Sequence, residues 1–284
     1  MNNFSTWGCT LLYLFFCNCL AAQQPAPKGN LFIIGGGERP PALMHQLMRT
    51  AKLAEDSYIV VLPMASSEPD SAFYYIQREL RQICKNPIYL LNFLKQDTAN
   101  LQKIDSLRHA GLIYISGGDQ NRFMEIVGSG PIYKAIHTAY SSGSTIAGTS
   151  AGAAVMSEQM ITGKQLKGDT SYRETFEKIW NANIQFKKGL GLLKHIIIDQ
   201  HFIKRSRYNR LISALAAYPT YTCIGIDEGT ALIVEPHKLT VSGKSQVLVI
   251  SQPKELKIRG ELITFRGLKI SLFADGDEIT YNQH

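Results

Sequence analysis

Gly148-Thr149-Ser150-Ala151-Gly152 follows a short apolar run, Thr145-Ile146-Ala147, and leads into Ala153-Ala154-Val155-Met156. The pattern G-x-S-x-G between a strand and a helix marks a sharp turn that lifts a serine hydroxyl clear of a sheet. Such a turn crowds the backbone, so the residues flanking the serine must be small. The helix that follows brings its first N–H groups, and its dipole, to bear on a reacting carbonyl. Ser150 is therefore the expected nucleophile and the Ala151 N–H an expected oxyanion donor. The bland alternative is a helix start built from small residues.

A serine hydroxyl is a weak nucleophile and needs a base. Of the seven histidines, His201 is the best placed, because Asp199-Gln200-His201-Phe202 continues directly from the apolar run Ile196-Ile197-Ile198. The competing reading is a cap on the next helix. His45, His109, His137, His195, His237 and His284 fall on polar faces, turns or the terminus and read as surface. Two carboxylates compete to orient the imidazole. Glu228 sits just past the strand in Gly225-Ile226-Asp227-Glu228-Gly229, and Asp169 lies in a polar loop after the nucleophile helix. Position favours Glu228, and both remain open. A second oxyanion donor is expected from Gly117 or Gly118 in Ser116-Gly117-Gly118-Asp119-Gln120, where glycine permits close approach and Gln120 offers a neutral donor and acceptor. Arg205, Arg207 and Arg210 follow His201, and their guanidinium forks suit a carboxylate on the substrate. Asp199 and Asp227 are candidate binding carboxylates, and a solvated basic helix end is the alternative for the arginines.

Such residues need elements to hold them. Apolar runs at 31–34, 58–62, 88–91, 112–115, 145–147, 196–198 and 224–226 alternate with helical patterns near 40–53, 70–84 and 206–217. That alternation predicts an α/β fold, a doubly wound, mostly parallel sheet flanked by helices. After Thr230, short strand-like runs at 231–234, 246–250, 255–258 and 269–273 predict a C-terminal antiparallel β extension over an edge of the sheet. The expected division is a catalytic α/β domain at 29–235 and an extension at 236–284 packed on it. Gly35-Gly36-Gly37, Gly117-Gly118 and Gly148 each close a strand. Ligands of open α/β sheets bind just beyond the carboxyl ends of the strands. A tight turn alone would equally explain the triple glycine.

The chain has 284 residues, 45% hydrophobic and 19% charged, with a formal net charge of +7. This is an ordinary globular composition. The surplus charge reads as a solvated surface or an acidic partner; no run of Lys or Arg interleaved with aromatics points to nucleic acid. Residues 1–22 carry no charged side chain, are apolar at 11–16 and end in Ala21-Ala22. This predicts a signal peptide and an exported protein, periplasmic or extracellular. The run falls short of the roughly 20 apolar residues of a membrane span, so no stable span is expected. Cys17 or Cys19 is a candidate for lipid attachment. Without this segment two of the five cysteines remain, Cys84 and Cys223, which read as separate buried thiols rather than a bridge. No Cys/His spacing suggests a metal, and the chemistry calls for no cofactor.

Gly148-Thr149-Ser150-Ala151-Gly152-Ala153, Ser116-Gly117-Gly118-Asp119-Gln120, Asp199-Gln200-His201-Phe202 with its arginines, and Ile226-Asp227-Glu228-Gly229 together resemble the cyanophycinase group of the S51 serine peptidases. These are relatives of aspartyl dipeptidase with a class I glutamine-amidotransferase-like fold. The resemblance runs from about Asn30 to Val234. It implies hydrolysis of cyanophycin, a poly-aspartate chain bearing arginines on its β-carboxyls, to β-Asp-Arg dipeptides. It places the nucleophile on Ser150 and the base on His201. It places the pocket on Gln120, Asp199, Gln200, Arg205, Arg207 and Arg210. Residues 164–188, which contain Asp169, and the tail after Pro236 depart from the pattern. The nearest rival is an aspartyl or isoaspartyl peptidase of short acidic peptides, and from another class an inactive periplasmic binder of acidic peptides. An α/β-hydrolase esterase would place its histidine near the chain end and carry an HGGG-type motif. Amidotransferases of this fold use cysteine where Ser150 stands. Whether the protein forms a homodimer is left open.

Overall fold

The structure, a computed structural model, describes residues 26–280 other than 96, 98, 99, 172 and 237. The expected signal peptide at 1–22, with Cys17 and Cys19, lies outside the described residues, as do His237 and His284. The first half alternates as β1 (Leu31–Ile34), α1 (Pro41–Ala51), β2 (Ile59–Leu62), α2 (Pro69–Arg81), β3 (Ile88–Leu90), α3 (Leu101–Arg108), β4 (Leu112–Ile115), α4 (Gln120–Val127), α5 (Pro131–Ser142) and β5 (Thr145–Thr149). There follow α6 (Ala151–Ala154), β6 (Gln159–Gln165), β7 (Ile184–Lys188), β8 (Ile196–Gln200), α7 (Tyr208–Ala217) and β9 (Thr222–Ile226). The chain closes with β10 (Thr230–Glu235), β11 (Lys238–Gly243), β12 (Val247–Lys254), β13 (Lys257–Arg259), β14 (Leu262–Thr264), β15 (Gly267–Phe273) and β16 (Glu278–Ile279).

The main sheet has the order β16-β11-β10-β1-β5-β4-β2-β3. Its five strands β1 to β5 are mutually parallel, and β10, β11 and β16 are added at one side, each antiparallel to the strand before it in the sheet. Parallel strands buried on both faces must be apolar on both, which is why Leu31-Phe32-Ile33-Ile34 shows no polar alternation. Successive side chains still part to opposite faces. Leu31 and Ile33 join Val60, Leu62, Ile113 and Ile115 in one core, while Phe32 and Ile34 join Val61, Leu112 and Tyr114 in another. Helix α1 closes the second core with Leu43, Met44 and Leu47, and α2 adds Ile76 and Leu80.

Strands β8 and β9 do not extend the main sheet. They pair in parallel with each other in a second, four-stranded sheet of order β15-β12-β9-β8, completed by antiparallel β12 and β15. One face of this sheet, with Ile196, Ile198, Ile224 and Ile226, shares the first core; the other packs Ile197, Cys223, Leu248 and Ile250 under α7. Burial on both faces gives β8 and β9 the same apolar code as the main strands, so sequence pattern alone does not separate the sheets. The tail serves both: β11 and β16 enter the main sheet, β12 and β15 the second, and β13 with β14 forms a separate hairpin. Cys84 and Cys223 are unbonded thiols, and burial pushes the Cys223 thiol far up. Among the described residues no helix is long and apolar enough to cross a membrane.

Candidate active site

Ser150 sits between β5 and α6 with φ 53° and ψ −108°. Positive φ is rare for a residue with a Cβ and costs about 1–3 kcal/mol where the surroundings enforce it. Here they do. The Ser150 N–H donates to the Ile34 carbonyl at 3.1 Å. A Cβ on Gly148 would lie 2.3 Å from the Gly152 carbonyl oxygen, and one on Gly152 would lie 2.3 Å from that of Ile115. Both glycines of the motif are thus required by backbone contact, and the turn between them cannot relax.

The Ser150 hydroxyl lies 2.8 Å from His201 Nε2, and His201 Nδ1 lies 2.6 Å from Glu228 Oε1. An ionised carboxylate only accepts, so Nδ1 carries the proton and Nε2 accepts from the serine. His201 follows β8 with φ 48°, its N–H donating to the Gly35 carbonyl at 2.7 Å, while Glu228 follows β9. Three strand ends from two sheets therefore meet at one hydrogen-bonded chain. Burial holds the His201 pKa below its ordinary value; Glu228 opposes this, and the positive charges of Arg205 and Arg207 reinforce it. Asp169 is elsewhere. It is half exposed and paired with Arg173 at 2.7 Å, and that hydrogen bond holds its carboxyl well below the usual carboxylate range. The carboxylate at the imidazole is Glu228.

The triple glycine has a purpose beyond a tight turn. A Cβ on Gly36 (φ 110°) would stand 2.4 Å from His201 Cε1, and one on Gly37 (φ 69°) would stand 2.7 Å from Glu228 Oε2. These glycines make room for the imidazole and the carboxylate side by side. Gly117 lies beside the serine without being required there, since a Cβ would make ordinary contact at 3.5 Å from Ser150 Cβ. Gly118, at φ 135°, packs its Cα against the Ala65 carbonyl, and the Asp119 N–H donates to that same oxygen at 2.8 Å.

The polar residues expected to line the pocket divide sharply. Arg210 grips Asp199 with both arms, through Nε to Oδ2 at 2.8 Å and through Nη2 to Oδ1. Arg207 donates to the Gln200 carbonyl at 2.7 Å, to Gln200 Oε1, and to the Glu174 carbonyl at 3.1 Å. Asp199, Arg207 and Arg210 are each 2% exposed or less, and Gln200 is also buried. These four bond to one another at the end of β8 and fix it in place. The sequence contains no sign of this inward turn, because arginine at this spacing looks the same on a solvated face. Gln120 is buried too, its amide donating to the Ile161 carbonyl at 3.0 Å and so tying α4 to β6. Asp227 braces the histidine turn to the tail, accepting from the Lys204 N–H at 2.9 Å and the Ser245 hydroxyl at 2.7 Å. Arg205 alone of the three arginines keeps an appreciable part of its side chain in water. His137, expected at the surface, is half-buried with Nε2 2.7 Å from the Leu190 carbonyl. Among the described residues no group of His, Cys, Asp and Glu is arranged to hold a metal ion.

The sequence pattern of peptidase family S51 matches residues 31–242. The cyanophycinase of Nostoc sp. (strain PCC 7120 / SAG 25.82 / UTEX 2576) is 32% identical over 265 residues, which cover 89% of this chain and 85% of that protein. The cyanophycinase of Synechococcus elongatus is 30% identical over 276 residues, covering 92% of this chain and 82% of that one. A crystal structure of a peptidase from an acI-B1 Actinobacterium superposes with a TM-score of 0.64 at 22% identity, covering 91% of this chain and 99% of that chain. This last likeness shows the fold.

Proposed function

Because the chain belongs to peptidase family S51 and is a hydrolase of that family, we propose that it cleaves cyanophycin to β-Asp-Arg dipeptides through an acyl-enzyme on Ser150. The observation that carries this reading is the unbroken chain from the Ser150 hydroxyl through His201 to Glu228. In the reaction, Ser150 Oγ attacks the amide carbonyl carbon while His201 Nε2 takes its proton. Glu228 stabilises the imidazolium so formed. The oxyanion rests on the N–H groups of Ala151 and Gly118, the first supported by its place at the start of α6, where helix N–H groups lack intrahelical partners. Collapse breaks the C–N bond, the leaving amine takes the proton from His201, and water then repeats the sequence to free the serine. The depressed pKa of His201 suits this role, since a base must begin neutral.

The test is incubation with insoluble cyanophycin and mass analysis of what is released. The wild-type protein is expected to yield β-Asp-Arg. Ser150→Ala and Glu228→Gln should each lose about 10³-fold or more in turnover, and Asp169→Asn should retain it. Release of the dipeptide by Ser150→Ala at the wild-type rate would end the acyl-enzyme reading. Activity confined to short β-linked Asp peptides would transfer the proposal to an isoaspartyl-type peptidase with the same mechanism. The apolar run at 11–16 and the small residues Ala21-Ala22 support a further proposal, export with removal of 1–22. A mature protein whose mass begins at Met1 would refute it.

A further inference from the structure

Arg205 keeps 27% of its side chain exposed, against 3% for Arg207 and 2% for Arg210. It stands one turn past the catalytic imidazole, its N–H donating to the His201 carbonyl at 3.0 Å, and its charge acts on the His201 ring. There it meets a carboxylate of the protein itself, with Glu174 Oε1 lying 3.5 Å from Arg205 Nε. Glu174 belongs to the segment 166–183 that joins β6 to β7, and its backbone is pinned. Its carbonyl accepts from Arg207 Nε at 3.1 Å, the Thr175 hydroxyl donates to the Ser206 carbonyl at 2.7 Å, and Asn209 Nδ2 donates to the Phe176 carbonyl at 2.8 Å. Phe176 itself is buried under α7. The Glu174 side chain, by contrast, is 63% exposed. An anchored backbone thus presents an exposed carboxylate to Arg205, the most exposed of these three arginines. Ion pairs of this exposed kind are weak and exchange readily for another carboxylate.

We propose that Glu174 occupies, in the free protein, the position on Arg205 where a carboxylate of the substrate docks, and so sets the charge selectivity of the cleft. The inference rests on the peptidase reading given above. A branch ending in a free carboxylate displaces Glu174 into solvent and takes over its partner. A branch without one leaves the internal pair in place and receives nothing from Arg205. Specificity is the difference between those two cases.

The measurement is KM for a β-Asp-Arg peptide with a free arginine carboxylate and for its amidated counterpart, in the wild-type protein and in Glu174→Gln. Removing the competitor is expected to lower KM for the free acid by about 3- to 5-fold, with no such gain for the amide. The Kd of the free-acid dipeptide for Ser150→Ala and for Ser150→Ala/Glu174→Gln should fall in the same ratio. A KM and Kd that stay level or rise in Glu174→Gln, in a protein whose wild type cleaves the peptide, overturn this inference alone. A wild-type protein that neither binds nor cleaves either peptide sinks the peptidase reading as well.

Discussion

An imidazole works as a base only while neutral, and the protein arranges this with several opposed influences. Burial is the largest and disfavours the imidazolium; Glu228 favours it; Arg205 and then Arg207 disfavour it. The net result lies below the ordinary value of 6.5, so the acid limb of kcat/KM should fall below that pH. Arg205→Gln removes one influence that opposes protonation. The His201 pKa then rises, and the acid limb moves to higher pH. The profile is best measured with the amidated peptide, so that loss of carboxylate binding does not obscure the limb. High salt should move the wild-type limb in the same direction, because it screens an arginine that water reaches. A limb that stays put in Arg205→Gln would mean that this charge does not act on the ring.

At the scale of elements, β8 is the part most worth testing, because its polar end has two readings with different consequences. If Asp199, Arg207 and Arg210 bound substrate, Arg210→Met would raise KM and leave stability alone. With both partners at the 1–2% level of exposure, the substitution instead leaves a buried carboxylate without its main partner. The expected loss is about 3–5 kcal/mol in denaturant unfolding, the usual result of breaking a buried pair from one side. Much of this element was readable from the chain: the apolar run Ile196 to Ile198 and the histidine just past it, although the strand runs on to Gln200. The nucleophile turn was equally plain, since Gly148 and Gly152 leave no room for a Cβ. What stayed hidden depends on partners distant in sequence. Arg207 and Arg210 turn inward because Gln200 and Asp199 wait there. Gly36 and Gly37 owe their lack of a side chain in part to His201 and Glu228, distant in sequence, which pack against them. Glu174 carries no local signal at all, since its meaning lies entirely in a contact with Arg205.

Across the whole molecule, the site is a junction between two sheets, and the C-terminal tail reaches it from outside the strands that carry the chemistry. Ser245 holds Asp227 beside Glu228, while β12 and β15 complete the sheet whose other two strands lead into His201 and Glu228. The hairpin β13–β14 has a different task. The Asn181 N–H donates to the Glu261 carbonyl at 2.8 Å, Lys167 Nζ lies 3.3 Å from Glu261 Oε1, and Trp180 bridges Leu262. These contacts all fall on the 166–183 segment, whose other side carries Glu174 and the backbone grip on Arg207. The hairpin belongs to neither main core, so replacing 257–264 with a short Gly-Ser turn should leave both sheets folded. Its removal frees one flank of the segment that positions Glu174. Thermal unfolding is expected to shift little, since few buried apolar contacts are lost. The rate of proteolytic nicking within 166–183 should rise several-fold, and KM for the polymer should fall while kcat holds, because a loosened Glu174 competes less well for Arg205. If the segment stays as protected and KM as high without the hairpin, then Arg207 and Phe176 anchor it unaided and the hairpin has no part in placing Glu174.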